Sequence, residues 1–174
     1  MQKIKWLVLI PLMLVLAGSI HAQVTTRIFI VRHADRLPGD DLSPAGVIRA
    51  NELKRVLLNT GIDSVFSTNF VRTRKTVKPL ADAEGLPVLL YDSNPQLLKR
   101  VLKTGKGKTV LVAGHSNTVA QFIKSCGCKP PYENIPDTQF DNLFLVIVQH
   151  PAGSVVLFKS SCKLLHMKYG AVTN

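Results

Sequence analysis

Short apolar runs alternate along this chain with longer segments in which apolar residues recur every three or four positions. The run at residues 28–31, Ile-Phe-Ile-Val, carries no charge, which is typical of a strand buried on both faces of a parallel sheet. The same kind of run predicts strands over residues 65–67, 88–91 and 109–113. Periodic apolar positions predict helices over residues 44–59, 71–83, 96–103 and 118–124.

Turn residues mark the ends of these elements. Ser43 and Pro44 stand where the first helix should begin, and Gly61 follows its end. Pro79 falls inside the second helix, where we expect a bend. Residues 126–141 contain one glycine and three prolines, so this segment is predicted to be a loop.

The C-terminal pattern differs from the rest. Apolar runs at residues 142–149 and 154–159 flank Pro-Ala-Gly at 151–153, which predicts an antiparallel hairpin, and residues 163–169 are predicted to form a last edge strand. Repeated strand–helix units imply right-handed crossovers. The expected fold is therefore α/β, a three-layer α/β/α sandwich with a mostly parallel sheet and an antiparallel C-terminal edge hairpin.

The N-terminal segment, residues 1–22, has the pattern of an export signal. Lys3 and Lys5 precede an apolar core, and Ile-His-Ala at 20–22 suits cleavage after Ala22. The core is short for a membrane span, so we expect cleavage, no stable membrane span afterwards and a periplasmic or secreted protein; an uncleaved anchor is the alternative. The remaining residues, 23–174, are enough for one domain.

The chain is basic, with a formal net charge of +11 that falls to +9 once the two lysines of the signal are removed. Its lysines and arginines are scattered rather than interleaved with aromatic residues, so no nucleic-acid partner is expected. The run at residues 99–108 is interpreted mainly as the solvated face of a helix. Attraction to anionic substrates or cell surfaces is a second interpretation.

Three cysteines in an exported chain suggest one disulfide and one free thiol. Only Gly127 separates Cys126 from Cys128, so a bridge from one of them to Cys162 is favoured over a bridge between them. A metal site that uses the three cysteines with His166 is a further possibility, although these spacings match no standard zinc pattern.

Polar groups suited to phosphate chemistry follow several of the predicted strands. Arg32 and His33 come directly after the first strand, and Arg72 comes shortly after the second. His115 directly follows the run at 109–114. A guanidinium can clamp anionic oxygens and an imidazole can attack phosphorus. A histidine that merely caps a strand is the alternative for His33, and a core histidine is the alternative for His115.

Three segments carry a family resemblance: Val-Arg-His-Ala-Asp at 31–35, Ser-Thr-Asn-Phe-Val-Arg-Thr-Arg-Lys-Thr at 67–76, and Val-Leu-Val-Ala-Gly-His-Ser at 110–116. They resemble, in the same order, the motifs of the histidine phosphatase superfamily. The likeness is to a short bacterial exported member of its phosphoglycerate-mutase-like branch, and it covers nearly all of residues 23–174. It implies the three-layer fold predicted above.

The resemblance implies that His33 is the nucleophile that takes the phosphoryl group, with Arg32, Arg72 and His115 around that group. Arg72 is chosen over Arg74 because it stands four residues before Thr76, as in the family's R-x-x-x-T segment. Asn69 and Asn117 are further candidates for substrate binding. Ser116 is expected to cap the helix that follows it.

The proton donor departs from the family patterns. A glutamate after the third strand, or an aspartate directly after the second histidine, is usual in relatives, whereas this chain has Asp92 and Ser116 at these places. Asp92 and Asp35 are therefore rival candidates for the general acid, and Asp40 and Asp41 are further options. A poorly placed acid would favour good leaving groups, such as those of aryl phosphates, acyl phosphates and phosphoramidates.

The expected function is a phosphomonoesterase that needs no metal or cofactor and acts on phosphorylated small molecules, or on phosphoprotein, through a phosphohistidine on His33. A phosphoglycerate-mutase-type phosphotransferase is the first alternative. A catalytically weak module that binds phosphate or polyanions is the second, and a nucleic-acid or membrane-surface module is the third. The oligomeric state stays open.

Overall fold

A computed structural model describes residues 24–92, 96–150 and 161–170 of the chain. Its elements follow in chain order: β1 Val24–Arg32, α1 Pro44–Leu57, β2 Ser64–Ser67, α2 Val71–Ala83, β3 Val88–Leu90, α3 Gln96–Thr104, β4 Thr109–Gly114, α4 Ser116–Ser125, β5 Asn142–His150 and β6 Ser161–Lys168. The predicted strand–helix alternation is therefore confirmed.

The strands form one sheet in the order β3-β2-β4-β1-β5-β6. β3, β2, β4 and β1 pair in parallel, while β5 pairs antiparallel with β1 and with β6. The expected mostly parallel sheet with an antiparallel C-terminal edge is confirmed. The carboxyl ends of β1, β2 and β4 consequently lie along one edge of the sheet.

The two faces of the sheet are covered by different helices. Ile28 and Ile30 of β1 face a core that contains Phe122 of α4, and the alternate residues Phe29 and Val31 face a core that contains Leu53 of α1. Because successive side chains of a strand point to opposite faces, an apolar run without interruption is what a sheet covered on both sides requires. β1 is thus held from both faces, and its end is a rigid support.

The helices begin and end close to the predicted positions. α2 spans the predicted residues, and Pro79 lies within it without ending it. α4 begins two residues earlier than predicted, since His115 is its N-cap residue and Ser116 its first helical residue. The expected capping role of Ser116 is therefore wrong. The backbone N–H of His115 donates to the Thr118 hydroxyl at 2.8 Å, which fixes the start of this helix.

On the side away from β1, β5 pairs antiparallel with β6, in a register that sets Gln149 opposite Ser161. The strand predicted at residues 154–159 lies outside the described residues, and so does the proposed export signal. No helix in the described part of the chain is both long enough and apolar enough to cross a membrane.

Residues 126–141 form the predicted loop, without a helix or strand. Cys128 at its start is bonded to Cys162 of β6, whereas Cys126 is buried and free. The expectation of a bridge from this pair of cysteines to Cys162 is confirmed. The disulfide attaches the beginning of the loop to the edge of the sheet, and β5 begins where the loop ends.

α1 packs unusually close to the segment that follows β1. A Cβ added to Gly46 would stand 2.0 Å from the carbonyl oxygen of Asp35, a distance that no real contact allows. The same carbonyl accepts a hydrogen bond from the backbone N–H of Ser43 at 3.0 Å. The glycine therefore lets the first turn of α1 support the backbone directly after Arg32 and His33.

We expect Gly46→Ala to destabilise the protein by about 1–3 kcal/mol, because the methyl group must push the backbone of Asp35 away. The free energy of unfolding, measured by urea denaturation, checks this. Val47→Ala in the same turn removes part of a half-exposed side chain and serves as the control, with an expected change within about 0.5 kcal/mol. Equal stability of Gly46→Ala and wild type would contradict the close packing.

Candidate functional site

Two histidines meet at the carboxyl edge of the sheet. Arg32 pairs with Gly114 in the parallel register of β1 and β4, and the backbone N–H of His33 donates to the carbonyl of Gly114 at 2.9 Å. His33 and His115 each follow one member of this pair, so their side chains leave adjacent strands at the same level. Their ring centroids are 5.5 Å apart, at an interplanar angle of 63°.

The His33 ring is held in one tautomer. Its Nδ1 lies 2.8 Å from the carbonyl oxygen of Ala34, and because a carbonyl only accepts, Nδ1 must carry the proton. Nε2 therefore keeps its lone pair. The pKa of His33 is lowered to about 4, chiefly by burial; the hydrogen bond to Ala34 opposes this shift, and the charges of Arg32 and Arg72 add to it. At neutral pH this buried ring is neutral, and its Nε2 lone pair is available to a ligand.

His115 is also neutral at neutral pH. Burial, followed by the charges of Arg72 and Arg32, lowers its pKa to about 4. Its Nε2 lies 3.1 Å from the hydroxyl of Thr68, which comes directly after β2. This ring, carried at the end of β4, is therefore linked to the end of β2, and the hydrogen bond with Thr68 fixes its orientation.

Arg32 is buried and extends toward the loop at 126–141. Its Nη1 donates to the carbonyl of Pro136 at 2.9 Å, and its Nη2 lies 3.2 Å from a carboxylate oxygen of Asp137. The ring of Phe140 packs under the guanidinium, with 4.3 Å between Cζ and the ring centroid. The guanidinium is therefore fixed by hydrogen bonds at one end and by an aromatic face.

Arg72 stands in the first turn of α2 and is held in a similar way. Its Nη1 donates to Asp40 Oδ1 at 2.7 Å, and its Cζ lies 4.4 Å from the ring centroid of Phe70. The other oxygen of Asp40 accepts from the backbone N–H of Val71 at 2.9 Å. The Asp40 carboxylate thus binds both the N-terminus of α2 and the guanidinium of Arg72, and both of these groups favour an anion.

The structure therefore brings together the four residues that the sequence grouped: Arg32, His33, Arg72 and His115. The Nε atoms of both arginines are buried and have no hydrogen-bond partner among the described residues. The cluster combines two guanidiniums, spare N–H donors and two neutral imidazoles. This arrangement can bind a dianionic phosphoryl group and present a nitrogen lone pair to it.

Two phenylalanines belong to this cluster that sequence reasoning did not single out. Phe70 meets the His115 ring edge-on with centroids 5.1 Å apart, and Phe140 lies 5.9 Å from the His33 ring. Phe70 stands directly before α2, in the short connection that follows β2, a position that could have drawn attention to it. Phe140 lies in a loop rich in proline and has no such signal.

Asp35 lies apart from the cluster. Its carboxylate is held by Arg49 of α1, whose Nε donates to Oδ2 at 2.6 Å and whose Nη2 donates to Oδ1 at 3.4 Å. Arg49 also donates to the carbonyl of Tyr169 at 3.1 Å. Although Asp35 is two residues from His33 in sequence, it serves this buried ion pair, which ties the segment after β1 to the C-terminal part of the domain.

Asp92 is exposed and lines a cleft of about 560 Å³ together with Asn69 and Arg100. The amide oxygen of Asn69 accepts a short hydrogen bond from Arg74, which is therefore a partner of Asn69 rather than of the four-residue cluster. Asn117 is exposed in the first turn of α4. None of the described contacts joins Asp92 or Asn117 to the cluster.

The carboxylates that do contact the cluster are Asp40, on Arg72, and Asp137, on Arg32. Asp41 forms an exposed ion pair with Lys75 instead. Sequence reasoning treated Asp40 as a secondary option and gave Asp137 no role. Across residues 24–92, 96–150 and 161–170, no three His, Cys, Asp or Glu side chains are grouped as a metal site would need.

Comparisons with known proteins give a partial match to a family model. Residues 21–93, less than half of the chain, match the model of the histidine phosphatase superfamily, branch 1. No curated protein matches the chain.

Solved structures share the fold at low sequence identity. A protein histidine phosphatase, SixA, bound to tungstate is 18% identical with a TM-score of 0.57, covering 82% of this chain and 96% of that one. A mycobacterial glucosyl-3-phosphoglycerate phosphatase is 14% identical with a TM-score of 0.58, covering 71% and 91%. A phosphoserine phosphatase of Entamoeba histolytica is 16% identical with a TM-score of 0.55, covering 71% and 90%.

We expect Asp35→Asn to lower the free energy of unfolding by about 3 kcal/mol, because it leaves the buried Arg49 without its counter-ion. Urea denaturation measures this. Asp82→Asn, which breaks an exposed pair with Lys78, is the control and should cost less than about 0.5 kcal/mol. Loss of phosphatase turnover with unchanged stability would instead make Asp35 a catalytic residue.

Both imidazoles of the cluster should titrate well below the ordinary pKa of histidine. In the free protein His33 and His115 should gain their second proton only near pH 4, so His33 stays a competent nucleophile above that pH and loses its lone pair below it. NMR titration of the ring protons, assigned with His33→Gln and His115→Gln, checks this. A midpoint near 6.5 for either ring would show that it is not buried beside the arginines.

Proposed function

We propose that this chain is a member of the histidine phosphatase superfamily and hydrolyses phosphomonoesters through a covalent phosphohistidine on His33. The observation that carries the proposal is the neutral His33 ring, with its proton on Nδ1 and its Nε2 lone pair free, beside Arg32, Arg72 and His115. The match to the superfamily model covers the segments that contain three of these four residues.

The reaction proceeds in two displacements. In the first, His33 Nε2 forms a bond to phosphorus while the bond from phosphorus to the ester oxygen breaks, and that oxygen leaves with the bonding electrons. In the second, a water oxygen attacks phosphorus and the N–P bond breaks, which returns the lone pair to Nε2 and releases phosphate. Two easier steps replace one difficult displacement.

Arg32 and Arg72 hold the phosphoryl oxygens on either side of His33. Their positive charges therefore lie next to the oxygens of the transferring group. Phosphoryl transfer depends mostly on positioning and on electrostatic stabilisation of the equatorial oxygens. The two guanidiniums and His115 supply both in this chain, so we propose a reaction that needs no metal. Asp137 and Asp40 release the arginines when the substrate phosphate takes their place.

Asp92 remains the proposed proton donor to the leaving oxygen. Of the two residues predicted for this role, Asp35 is committed to Arg49, whereas Asp92 is exposed in the cleft beside Asn69. Asn69 and Asn117 are proposed to contact the substrate outside the phosphoryl group. The substrate is a phosphorylated small molecule or a phosphoprotein, met in the periplasm or outside the cell after removal of the export signal.

A phosphate-binding module without turnover is the second candidate. The predicted proton donors favour it, since Asp35 is held by Arg49 and no described contact joins Asp92 to the four-residue cluster. Such a module would bind phosphate with the same arginines and would release no product.

The mature protein should hydrolyse p-nitrophenyl phosphate in the presence of EDTA, and His33→Ala should lower kcat/KM by at least about 1,000-fold because the nucleophile is lost. His150→Gln is the matched control, since His150 pairs with Val24 at the opposite end of β1 and bonds Thr26. Phosphate binding without turnover would favour the binding module. Activity that survives His33→Ala, or that needs a divalent metal, would overturn the proposal.

A further inference from the structure

Four aromatic rings of the candidate site are linked by successive ring contacts. Phe70, His115, His33 and Phe140 follow one another with centroid distances of 5.1, 5.5 and 5.9 Å. The two imidazoles are in the middle, where the phosphoryl group is proposed to bind, and the phenyl rings stand outside them. The phenyl rings are therefore apolar surfaces within ring-contact distance of the imidazoles, where a group attached to that phosphate can reach them.

The phenyl rings are fixed as well as accessible. Phe70 is 45% exposed although it is a large apolar side chain, and Phe140 is partly exposed. Each ring nevertheless packs on a guanidinium, Phe70 on Arg72 and Phe140 on Arg32. Phe70 and Phe140 thus form a rigid apolar rim directly beside the phosphate-binding groups. An aromatic ring of a ligand can contact this rim edge-on or stacked.

The carboxylates beside the arginines also favour a ligand in which an aromatic ring is attached to the phosphate. Asp40 is a poor proton donor, because the backbone N–H of Val71 and the charge and hydrogen bonds of Arg72 lower its pKa. Asp137 is held against Arg32. A phenol oxygen leaves phosphorus as a phenolate and depends less on a proton from the proposed donor Asp92 than the more basic oxygen of an ordinary alcohol does.

We infer that Phe70 and Phe140 are specificity-determining residues that select phosphate monoesters of phenols, a preference that rests on the phosphatase function proposed above. The leaving aryl ring lies against the phenyl rim while the bond between His33 Nε2 and phosphorus forms. The bond from phosphorus to the phenolic oxygen breaks in the same displacement, the electron pair goes to that oxygen, and the oxygen takes its proton from Asp92 or, after release, from solvent.

The experiment separates recognition of the ring from acidity of the leaving group. Phenyl phosphate is compared with hexafluoroisopropyl phosphate, whose alcohol is about as acidic as phenol but carries no ring. Wild type should favour phenyl phosphate in kcat/KM by about tenfold, and Phe70→Leu and Phe140→Leu should each reduce this ratio several-fold. Ile48→Ala, which removes a side chain exposed on α1, is the control and should keep the wild-type ratio.

A binding measurement can be made on the wild-type protein alone, so it does not depend on whether a variant folds. Phenylphosphonate should inhibit more strongly than cyclohexylphosphonate by several-fold, because the two differ in the flat aromatic ring and hardly in size. Equal inhibition, or equal kcat/KM for the two esters with full dependence on His33, would overturn the inference and leave the phosphatase proposal standing. Turnover of neither ester would overturn both.

Discussion

The parallel pairing of β1 with β4 is the constraint on which the site depends. It sets Arg32 opposite Gly114 and joins His33 to Gly114 by a backbone hydrogen bond, so the two histidines that follow must emerge side by side. A shift of one residue would send each side chain of β1 to the other face of the sheet and separate the rings. The apolar cores on both faces of β1 hold this register, which connects the burial of Ile28–Val31 with the chemistry at the end of the strand.

Burial removes the positive charge of the histidines at this edge of the sheet but not that of the arginines. It lowers the pKa of His33 and His115 far enough to leave both rings neutral. The arginines keep their charge, because guanidinium pKa values lie too high for such a shift to matter. The result is a pocket that sets two charged guanidiniums, each paired with an aspartate, beside unprotonated imidazoles, which a cluster of lysines and exposed histidines would not provide.

Much of the fold and of this pocket could be predicted from the sequence, because strand ends in a parallel sheet converge on one edge. Arg32, His33 and His115 needed only the positions of two strands, and Arg72 needed one motif. The carboxylates were harder to place. Asp35 is near His33 in sequence, yet the chain turns after β1 and the buried Arg49 requires a counter-ion, which the local pattern does not show. Asp137 and Phe140 lie in a loop without periodicity, so no pattern links them to Arg32.

The disulfide between Cys128 and Cys162 fixes the start of the loop at residues 126–141. The hydrogen bonds of β5 with β1 fix its end. Pro136, Asp137 and Phe140, the partners of Arg32, are therefore carried by a segment that is closed into a ring through the edge of the sheet. Closing a loop removes conformations that its residues would otherwise sample. The shape of one wall of the pocket thus depends on thiol oxidation, and a chain that folds in a reducing compartment would lack that closure.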